Sequence, residues 1–565
     1  MPRRKIILKN HVKIKRKNRI WKNKPTALVV TCLLYGVLTV ASSAFAQNNR
    51  GICLVELDRP LEAIACYDRA IVLRRDYAEA YNNRGVVLRR LKRLSEAVAS
   101  YEKAIEINPE YAEAYNNRGN AVLELQRISE AQGEDLEAVP SKPGITKPLT
   151  REQLKRAVED LSAELNLAKE PVPKAEWLEI LVNRGIVLRS LQRPQEALAN
   201  YDRAIAIKPN YAEAHNNRGN ALYELRRVDE AIESYNRAIA LKPNYPAAFV
   251  NRANAKLSKG DMAGGWADFE YRWQKSEFEG QRTGLDIPIW NGENLSGKSI
   301  LVSSEQGFGD LFQFIRYLPL LLARGARVTL LGPGFLLRVL KTVSDQVRYI
   351  GTAKEAGPHD FQCPLLSLPK RFKTDLTTIP AQVPYLSADP DLALKWRKRL
   401  GSRGFRIGVC WHSKPVMPER SFPLRACLPL ARIKGVRLIS LQKNHGLHQL
   451  RTLPAGMTVE TLGEDFDAGS DAFIDSAAVM QHLHLVISSD TSIAHLAGAL
   501  ARPVWVPLPY SPDWRWMLER SDSPWYPTMR LFRQSERQVW GPVFEKMAAT
   551  LEENLAALPQ GRRTI

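Results

Sequence analysis

The chain has 565 residues, too many for one hydrophobic core, so two or three domains are expected. Its formal net charge is +21, and eleven basic residues lie in the first 24 positions, where no acidic residue occurs. The other charges alternate in sign and form no basic stripe with interleaved aromatic residues, which argues against nucleic-acid binding. The six cysteines include no CxxC pair, as in proteins of a reducing compartment or proteins indifferent to redox state.

An apolar run from Thr26 to Ala46 follows the basic segment, and the two form an amino-terminal region at residues 1–46. The run is long enough to cross a bilayer as a helix, and Ala44-Phe45-Ala46 offers a signal-peptidase site. Cleavage there would trim the first repeat helix, expected to begin near Ala44, so a membrane anchor is favoured. Two alternatives stay open: a cleaved signal, which implies a periplasmic location, and a misassigned start, which implies a cytoplasmic location. The side of the membrane on which the catalytic domain lies is also open.

Residues 47–280 repeat with a period of 34 residues, apart from an interruption near 132–177. Each repeat has a small marker residue, another small residue twelve positions later and, in most repeats, an aromatic residue sixteen positions later. The markers are Gly51, Gly85, Gly119, Gly185, Gly219 and Ala253. Small residues let two antiparallel helices approach closely, and the aromatic ring fills the next hole. The pattern resembles the tetratricopeptide repeat and implies an all-α superhelix.

An asparagine stands two positions before each marker, and stacked repeats would place these amides in one ladder. The ladder consists of Asn49, Asn83, Asn117, Asn183, Asn217 and Asn251. The amides either form a solvated stripe or inter-repeat bonds, or they capture an extended peptide, whose backbone an amide can both donate to and accept from. The O-linked N-acetylglucosamine transferases have a similar ladder before their catalytic domain. That resemblance implies a protein or peptide partner.

From about residue 285 the pattern changes to short apolar strands alternating with helices, which predicts a doubly wound α/β fold. A segment at Gly260–Trp273 looks like a capping unit that ends the repeats. ILVSS and RVTLL belong to a first lobe at 285–395, and RIGVCW, VRLISLQ, LVISS and VWVPLP to a second lobe at 396–565. Two Rossmann-like lobes predict the GT-B arrangement, with the donor on the second lobe.

Two loops of these lobes carry candidate site residues. In the first lobe, Gly307 and Gly309 permit a tight turn with close ligand approach, and Asp310 stands at the mouth of a helix, where it could also be an N-cap. In the second lobe, Asp490-Thr491-Ser492 crowd a helix N-terminus that suits a diphosphate, with simple capping as the alternative. His495, one turn later, is either a buried core histidine or a donor to phosphate or sugar.

Residues 260–545 resemble the heptosyltransferase-like transferases of the ADP-heptose family, in the form fused to tetratricopeptide repeats. The motifs that carry this resemblance include EQGFGDLFQFIRYLPLL, RSFPL, SDTSIAHLAGALARPVWV and PDWRWMLERSDSPWYPTMRLFRQ. The resemblance implies transfer of a sugar from a nucleotide-sugar donor, with Asp310 as the base. It also implies that Thr491, Ser492 and His495 bind the nucleotide diphosphate.

The second lobe departs from that family at its first strand, where Cys410-Trp411-His412-Ser413-Lys414-Pro415 replaces an aromatic-small-Gly-Asn-Pro run. Arg420 is kept, and Lys414 could add a second cation, so phosphate neutralisation is still expected. The predicted donor site therefore consists of Gly307, Gly309, Lys414, Arg420, Asp490, Thr491, Ser492 and His495.

We expect no metal and no cofactor, because the helix terminus and the cations can stabilise the leaving group. The literal Asp-x-Asp matches at 389–391 and 465–467 are therefore expected to have no part in the chemistry. Two alternatives to a protein-modifying transferase stay open. One is a transferase acting on a lipid or polysaccharide precursor, and the other is a repeat scaffold whose transferase domain has decayed.

Overall fold

The structure is a computed structural model that describes residues 44–108, 111, 113–115, 117–122, 124, 174–275, 283–413 and 418–557. These residues belong to two compact units: those up to 124 form the first, and those from 174 onwards form the second. The predicted amino-terminal region lies outside the described residues except for 44–46, and the predicted interruption except for 174–177. In the described part of the chain, no helix combines the length and the apolar character needed to cross a bilayer.

The first unit contains two complete antiparallel helix pairs of the predicted repeat. Their helices are α1 (Ala44–Glu56), α2 (Pro60–Leu73), α3 (Ala78–Arg90) and α4 (Leu94–Ile107). Helix α1 contains the first marker glycine, Gly51. Proline at the first position of α2 is favourable, because its missing N–H would have no intrahelical partner there.

The second unit begins with three more helix pairs of the same kind. These are α5 (Lys174–Ser190) with α6 (Pro194–Ile207), α7 (Ala212–Glu224) with α8 (Val228–Leu241), and α9 (Pro246–Lys259) with the short α10 (Met262–Phe269). Helix α9 ends at Gly260, whose φ of +89° is the left-handed conformation that glycine adopts without strain.

The glycine markers have a direct steric explanation. A Cβ atom at Gly51, Gly85 or Gly219 would lie 2.5 Å from a ring carbon of the tyrosine sixteen residues later. These rings are buried, and they pack flat against the bare backbone of the partner helix. The 34-residue pattern therefore reflects one contact between a glycine and a tyrosine ring, which recurs between the two helices of a pair.

A four-stranded parallel sheet follows the repeats. Its strands are β1 (Ser299–Ser303), β2 (Arg327–Leu331), β3 (Arg348–Ile350) and β4 (Phe361–Pro364), in the order β3-β2-β1-β4. The helices of this lobe are α11 (Phe308–Phe314), α12 (Leu318–Ala323), α13 (Leu337–Leu340) and α14 (Leu368–Arg371). Helix α15 (Pro390–Leu400) leads to the second lobe.

The second sheet has six parallel strands in the order β10-β9-β8-β5-β6-β7. They are β5 (Phe405–Cys410), β6 (Val436–Ser440), β7 (Val459–Glu460), β8 (Leu485–Ser488), β9 (Val504–Leu508) and β10 (Met529–Arg533). The helices are α16 (Leu428–Ala431), α17 (Ile474–Met480), α18 (Ser492–Ala499) and α19 (Gly541–Ala556). The predicted α/β class is thus confirmed, and every strand segment named from the sequence forms a strand.

The predicted capping unit docks onto the α/β part of its own unit. Trp266 on α10 is 2% exposed, and its indole N–H donates to the Thr374 carbonyl at 3.1 Å. The same ring meets Trp514 and Phe314 edge to face, with centroid distances of 5.3 and 6.3 Å. Phe314 ends α11 and Trp514 belongs to the second lobe, so one repeat tryptophan contacts both lobes.

Candidate functional site

Both predicted site loops lie at points where the strand order of a sheet reverses. Strand β1 lies between β2 and β4, and β5 lies between β6 and β8. In open parallel sheets, ligands bind beyond the carboxyl ends of the strands at such points. The loop with Gly307 follows β1, and the loop with Asp490 follows β8, so each is at the carboxyl edge of its sheet.

The two loops come together because α11 packs against α18. The closest approach is at Gly309, where an added Cβ would lie 2.9 Å from Cδ2 of His495. Gly309 is therefore required by contact between the lobes, which is a different role from the ligand approach predicted for it. Gly307 has an extended backbone, with φ of −92° and ψ of 166°, and precedes the helix as its N-cap.

The carboxylate of Asp310, at the third position of α11, has two partners. One oxygen accepts a hydrogen bond from the Gly307 N–H at 3.0 Å, so Asp310 bonds back to the N-cap residue and is not itself the N-cap. The other oxygen accepts from Nη2 of Arg515, which comes from the second lobe. The side chain is 16% exposed, so a small ligand group could still reach it.

Arg515 is the centre of an ion-pair network that joins the two lobes. Its Nε donates to the side-chain oxygen of Gln313 at 2.7 Å, and its Nη1 donates to Asp513 at 2.8 Å. Asp513 also accepts from Nη2 of Arg420 at 2.8 Å. Nη1 of Arg420 in turn lies 3.4 Å from the Asp490 carboxylate. The charges of this network alternate in the order Asp310, Arg515, Asp513, Arg420 and Asp490.

Burial and pairing oppose each other in this network. Burial disfavours the charged forms of Arg515 and Arg420, but the neighbouring carboxylates outweigh it and raise the pKa of both guanidinium groups. Burial likewise opposes ionisation of Asp513, yet Arg515 and Arg420 lower the pKa of this carboxyl to about 2. At Asp490 burial prevails over Arg420, and the pKa is raised.

The second-lobe loop is packed more tightly than its sequence suggests. Thr491 is the N-cap residue of α18, and its hydroxyl lies 3.1 Å from that of Ser488. Ser492 opens the helix and is half-buried. Asp490 is 3% exposed and faces Arg420, so it can act on a phosphate only through that cation. Lys414 lies outside the described residues.

His495 occupies the first of its two predicted environments, a buried histidine with a partner. It is 4% exposed, its Nδ1 lies 3.0 Å from the Tyr526 hydroxyl, and its ring stacks on Trp516 at 5.2 Å. Burial, followed by the charge of Arg515, lowers the pKa of His495 well below its ordinary value. The imidazole is therefore neutral near pH 7, and contact with a phosphate or sugar stays a prediction.

The altered motif at the end of β5 is anchored by Gln442 from the end of β6. The side-chain oxygen of Gln442 accepts from the backbone N–H groups of Trp411 and His412, at 2.9 and 2.8 Å. Its amide nitrogen donates to the His412 carbonyl at 3.2 Å. The His412 backbone is thus held in place at the carboxyl edge, beside the network.

A cavity of about 350 Å³ opens beside the first-lobe loop. Its walls include the hydroxyl side chains of Ser303 and Ser304, the backbone of Gly307, and the apolar side chains of Phe308 and Leu331. None of the described residues that line it is basic. The cavity is adjacent to Asp310, because Gly307 both lines it and donates to the Asp310 carboxylate. A neutral hydroxyl-bearing group would suit these walls better than an anion.

A second buried ion pair holds the same loop from the repeat side. Arg272, in the turn after α10, donates two parallel hydrogen bonds to Glu305 at 2.9 and 2.8 Å. Both side chains are fully buried. The guanidinium also donates to Ser367, and Glu305 also accepts from the Leu366 N–H. We refer to the Arg272–Glu305 pair as the repeat clamp.

The asparagine ladder is built from inter-repeat hydrogen bonds, one of the two interpretations left open by the sequence. The amide nitrogens of Asn83 and Asn117 donate to Asn48 and Asn82, at 3.1 and 3.0 Å. In the second unit, Asn251 donates to Asn216 at 3.0 Å. The acceptor is the residue before the ladder asparagine of the previous repeat. Asn183 and Asn217 belong to the same row, half-buried and 8% exposed respectively.

The Asp-x-Asp matches have structural partners. Asp389 caps α15 through the N–H groups of Asp391 and Leu392, and Asp465 pairs with Arg399 at 2.8 Å. Asp467 accepts from the Asp475 N–H at 2.9 Å. Within the described ranges, no group of three or more His, Cys, Asp or Glu side chains is placed to hold a metal ion.

Sequence reasoning did not assign a role to Arg515 or Asp513, although they connect the predicted residues. Both lie in PDWRW, a stretch that contributed only to the family resemblance. This stretch alternates acidic, aromatic and basic residues, and that unusual pattern was the available signal for the roles of Asp513 and Arg515. The repeat clamp was missed too, since nothing in the sequence relates Arg272 to Glu305.

Two stretches of the chain match models of the tetratricopeptide repeat: residues 182–246 match one, and residues 61–92 and 87–126 match another. The chain therefore carries tetratricopeptide repeats. Protein FlbA of Caulobacter vibrioides is 25% identical over 327 residues, which are 53% of this chain and 54% of FlbA. The chain thus spans about half the length of this curated relative.

Similar solved structures include YrrB, described as a tetratricopeptide-repeat protein with an unusual peptide-binding site. It is 22% identical and covers 37% of this chain and 91% of YrrB, with a TM-score of 0.27. PilF of Pseudomonas aeruginosa is 14% identical over 42% of this chain and 93% of PilF, with a TM-score of 0.31. A thermophilic tetratricopeptide-repeat protein of Thermus thermophilus is 21% identical over 38% of this chain and 100% of its own, with a TM-score of 0.26.

Proposed function

We propose that the protein is a glycosyltransferase of the GT-B arrangement that moves a sugar from a nucleotide-sugar donor to an acceptor presented by the repeats. One observation carries the proposal. The predicted base, Asp310, and the predicted diphosphate loop at 490–492 come from different lobes, and ion pairs through Arg515, Asp513 and Arg420 link Asp310 to Asp490. Residues far apart in sequence are thus neighbours at the carboxyl edges of two parallel sheets.

In the proposed reaction, an acceptor hydroxyl oxygen attacks the anomeric carbon of the donor. The bond from oxygen to this carbon forms as the bond from the carbon to the diphosphate oxygen breaks. The Asp310 carboxylate takes the hydroxyl proton, and the nucleoside diphosphate leaves with the electron pair. The N-terminal N–H groups of α18 and the Arg420 guanidinium would stabilise the negative charge that develops on the leaving group.

The cavity beside Gly307 supports this assignment, because it would bring a hydroxyl group close to Asp310. Its lining combines hydroxyl and apolar residues with Gln306 and with Glu305, which is paired with Arg272, and it fits a neutral acceptor group, such as a serine or threonine side chain or a sugar. The repeats would supply specificity by binding a protein or peptide. Each inter-repeat bond uses one N–H of a ladder amide, and an amide has a second N–H and an oxygen for a peptide backbone.

The donor site can be tested by thermal unfolding of the full chain with a panel of nucleotide sugars and nucleoside diphosphates. A ligand at a hundred times its Kd stabilises the protein by about 2.7 kcal/mol, a readily measured shift. We expect one nucleotide class to stabilise the wild type and Asp310→Ala, but not Arg420→Ala. Asp310→Ala should abolish sugar transfer.

The matched control is Arg520→Ala, which removes an exposed arginine that pairs only with the nearby Asp522 among described residues. It should keep nucleotide binding. If no nucleotide or nucleotide sugar stabilises the wild type, the donor site is refuted and a non-catalytic repeat scaffold becomes the better account. Undiminished transfer by Asp310→Ala would exclude this carboxylate as the base.

The acceptor can be tested by replacing Asn83, Asn117, Asn217 and Asn251 together by alanine. We expect unchanged stabilisation by the nucleotide and weaker transfer to protein, with a higher KM for the acceptor. Full transfer by this variant would contradict peptide capture by the ladder. A lipid or polysaccharide precursor would then be the acceptor to test.

A further inference from the structure

The ion-pair network has a direction, because its members differ in exposure. Arg420 is 27% exposed, whereas Asp513 is 12% and Asp490 is 3% exposed. An anion that enters from solvent therefore meets Arg420 first. Asp310 is 16% exposed itself, and its ion-pair connection to Arg420 among the described residues runs through Arg515 and Asp513, which are 9% and 12% exposed.

Arg515 is placed to act on two elements at once. Two of its three nitrogens bind α11, through Gln313 and Asp310, which lie three residues apart on one face of that helix. The third nitrogen binds Asp513 in the second lobe. A shift of this guanidinium toward Asp513 would therefore withdraw it from Asp310.

Asp513 is shared between the two guanidinium groups. One of its oxygens accepts from Arg515 and the other from Arg420, both at 2.8 Å. With all five groups ionised, three carboxylates face two guanidinium groups, so each guanidinium group is shared between two carboxylates. A bound anion that neutralises Arg420 would weaken the repulsion between Arg420 and Arg515, so the net electrostatic attraction of Arg515 toward Asp513 would grow.

We infer that Arg515 is a positioning residue, which transmits anion binding at Arg420 to the carboxylate of Asp310. The inference rests on the proposed function, because it takes the diphosphate of the donor as the anion. In the free protein Arg515 neutralises Asp310. When the diphosphate binds Arg420, Asp513 draws Arg515 toward itself, and Asp310 becomes available to accept a proton from the acceptor.

This coupling sets an order of events, with the donor first and proton acceptance second. It follows from reciprocity that anything which weakens the Arg515–Asp310 pair must strengthen anion binding. Asp310→Asn removes that pair and should raise affinity for the anion. Simple charge removal would do the same through space, so the decisive question is whether the effect requires Arg515.

Pyrophosphate titrations of four full-length proteins answer this question: the wild type, Asp310→Asn, Arg515→Gln and the double variant. At fixed ionic strength, we expect Asp310→Asn alone to bind pyrophosphate about 5-fold or more tightly than the wild type does. In the Arg515→Gln background, the same substitution should change affinity by less than about 2-fold, because the connecting side chain is gone. Asp522→Asn, which removes an exposed carboxylate of the second lobe, is the control and should have no effect.

If Asp310→Asn changes pyrophosphate affinity equally in both backgrounds, or does not change it in the wild-type background, the inference is overturned and the donor site is left intact. Failure of the wild type to bind pyrophosphate or any nucleoside diphosphate would instead refute the proposed function, and the inference with it. If Arg515→Gln does not fold, Arg515→Lys replaces it. An ammonium group on a shorter side chain cannot hold Asp310 and Asp513 together, so the same reduction is expected.

Discussion

Two buried arginines hold the segment that follows β1, Arg272 through Glu305 in the loop and Arg515 through Asp310 in α11, and they do so in different ways. In the repeat clamp, the Arg272 guanidinium forms a bidentate pair with Glu305, both groups are fully buried, and the guanidinium also donates to Glu270 at 2.9 Å. In the ion-pair network, two guanidinium groups share three carboxylates, and Arg420 is the most exposed member at 27%.

The difference separates a structural role from a responsive one. The buried Glu305 carboxylate accepts three hydrogen bonds, which favours a single arrangement, so the clamp fixes the end of the repeats to the first lobe. A network in which each guanidinium group is shared between carboxylates has alternative arrangements, and a charged ligand can favour one of them. Arg272 contacts Glu305 in the loop after β1, and Arg515 contacts Asp310 in the helix that follows, so the two cations hold successive parts of one segment.

The largest expected effect is on the clamp. Arg272→Met leaves Glu305 buried without its partner, and the free energy of unfolding should fall by about 3–5 kcal/mol. Denaturant unfolding of the full chain measures it, with Arg520→Met as the exposed control, expected within about 1 kcal/mol of the wild type. The contrast between clamp and network fails if Asp310→Asn destabilises the protein as much as Arg272→Met does.

The next test concerns packing beside the network. Gly309→Ala places a methyl group 2.9 Å from the His495 ring, which is itself confined by Trp516 and Tyr526. We expect a loss of about 1–3 kcal/mol from overpacking, with weaker nucleotide binding. Gly334→Ala, where an added Cβ has no described atom within 4 Å, is the matched control. Wild-type stability of Gly309→Ala would mean that the lobes separate easily at this contact.

The pH dependence of stability tests the environment of His495. An exposed histidine in the unfolded chain takes up a proton below about pH 6.5, whereas burial keeps the folded His495 neutral to a much lower pH. Protons therefore favour the unfolded state, and stability should fall as the pH drops from 7 toward 5. His495→Gln should reduce this slope by up to about 1.4 kcal/mol per pH unit. Parallel stability curves for the two proteins would place His495 in contact with solvent.

The smallest expected effect is on the repeats, where polar groups are satisfied within the array. Asn251→Ala removes the inter-repeat bond to Asn216, and we expect a loss of about 0.5–1.5 kcal/mol. Asn254→Ala, on the same helix, controls for the higher helix propensity of alanine. An Asn251→Ala variant as stable as Asn254→Ala would indicate that the ladder amides are held for a ligand and not for the repeats.

The repeats were predictable because their contacts are local in sequence. The glycine at each marker and the tyrosine sixteen residues later belong to one helix pair, so the steric requirement appears as a fixed spacing. The strands were predictable for a similar reason, since short apolar runs buried on both faces leave a plain pattern. Asp310 and the 490–492 loop could be named because each follows such a strand.

What only the tertiary structure decided is how those residues are connected. Asp310 pairs with Arg515, and Arg272 pairs with Glu305. The members of each pair lie far apart in the sequence, and no periodic pattern indicates that they are in contact. A buried ion pair needs two complementary groups at one point in space, and the chain path sets which two they are. The sequence alone therefore determined the repeats, the α/β class and the candidate loops, whereas folding decided which cation faces which carboxylate.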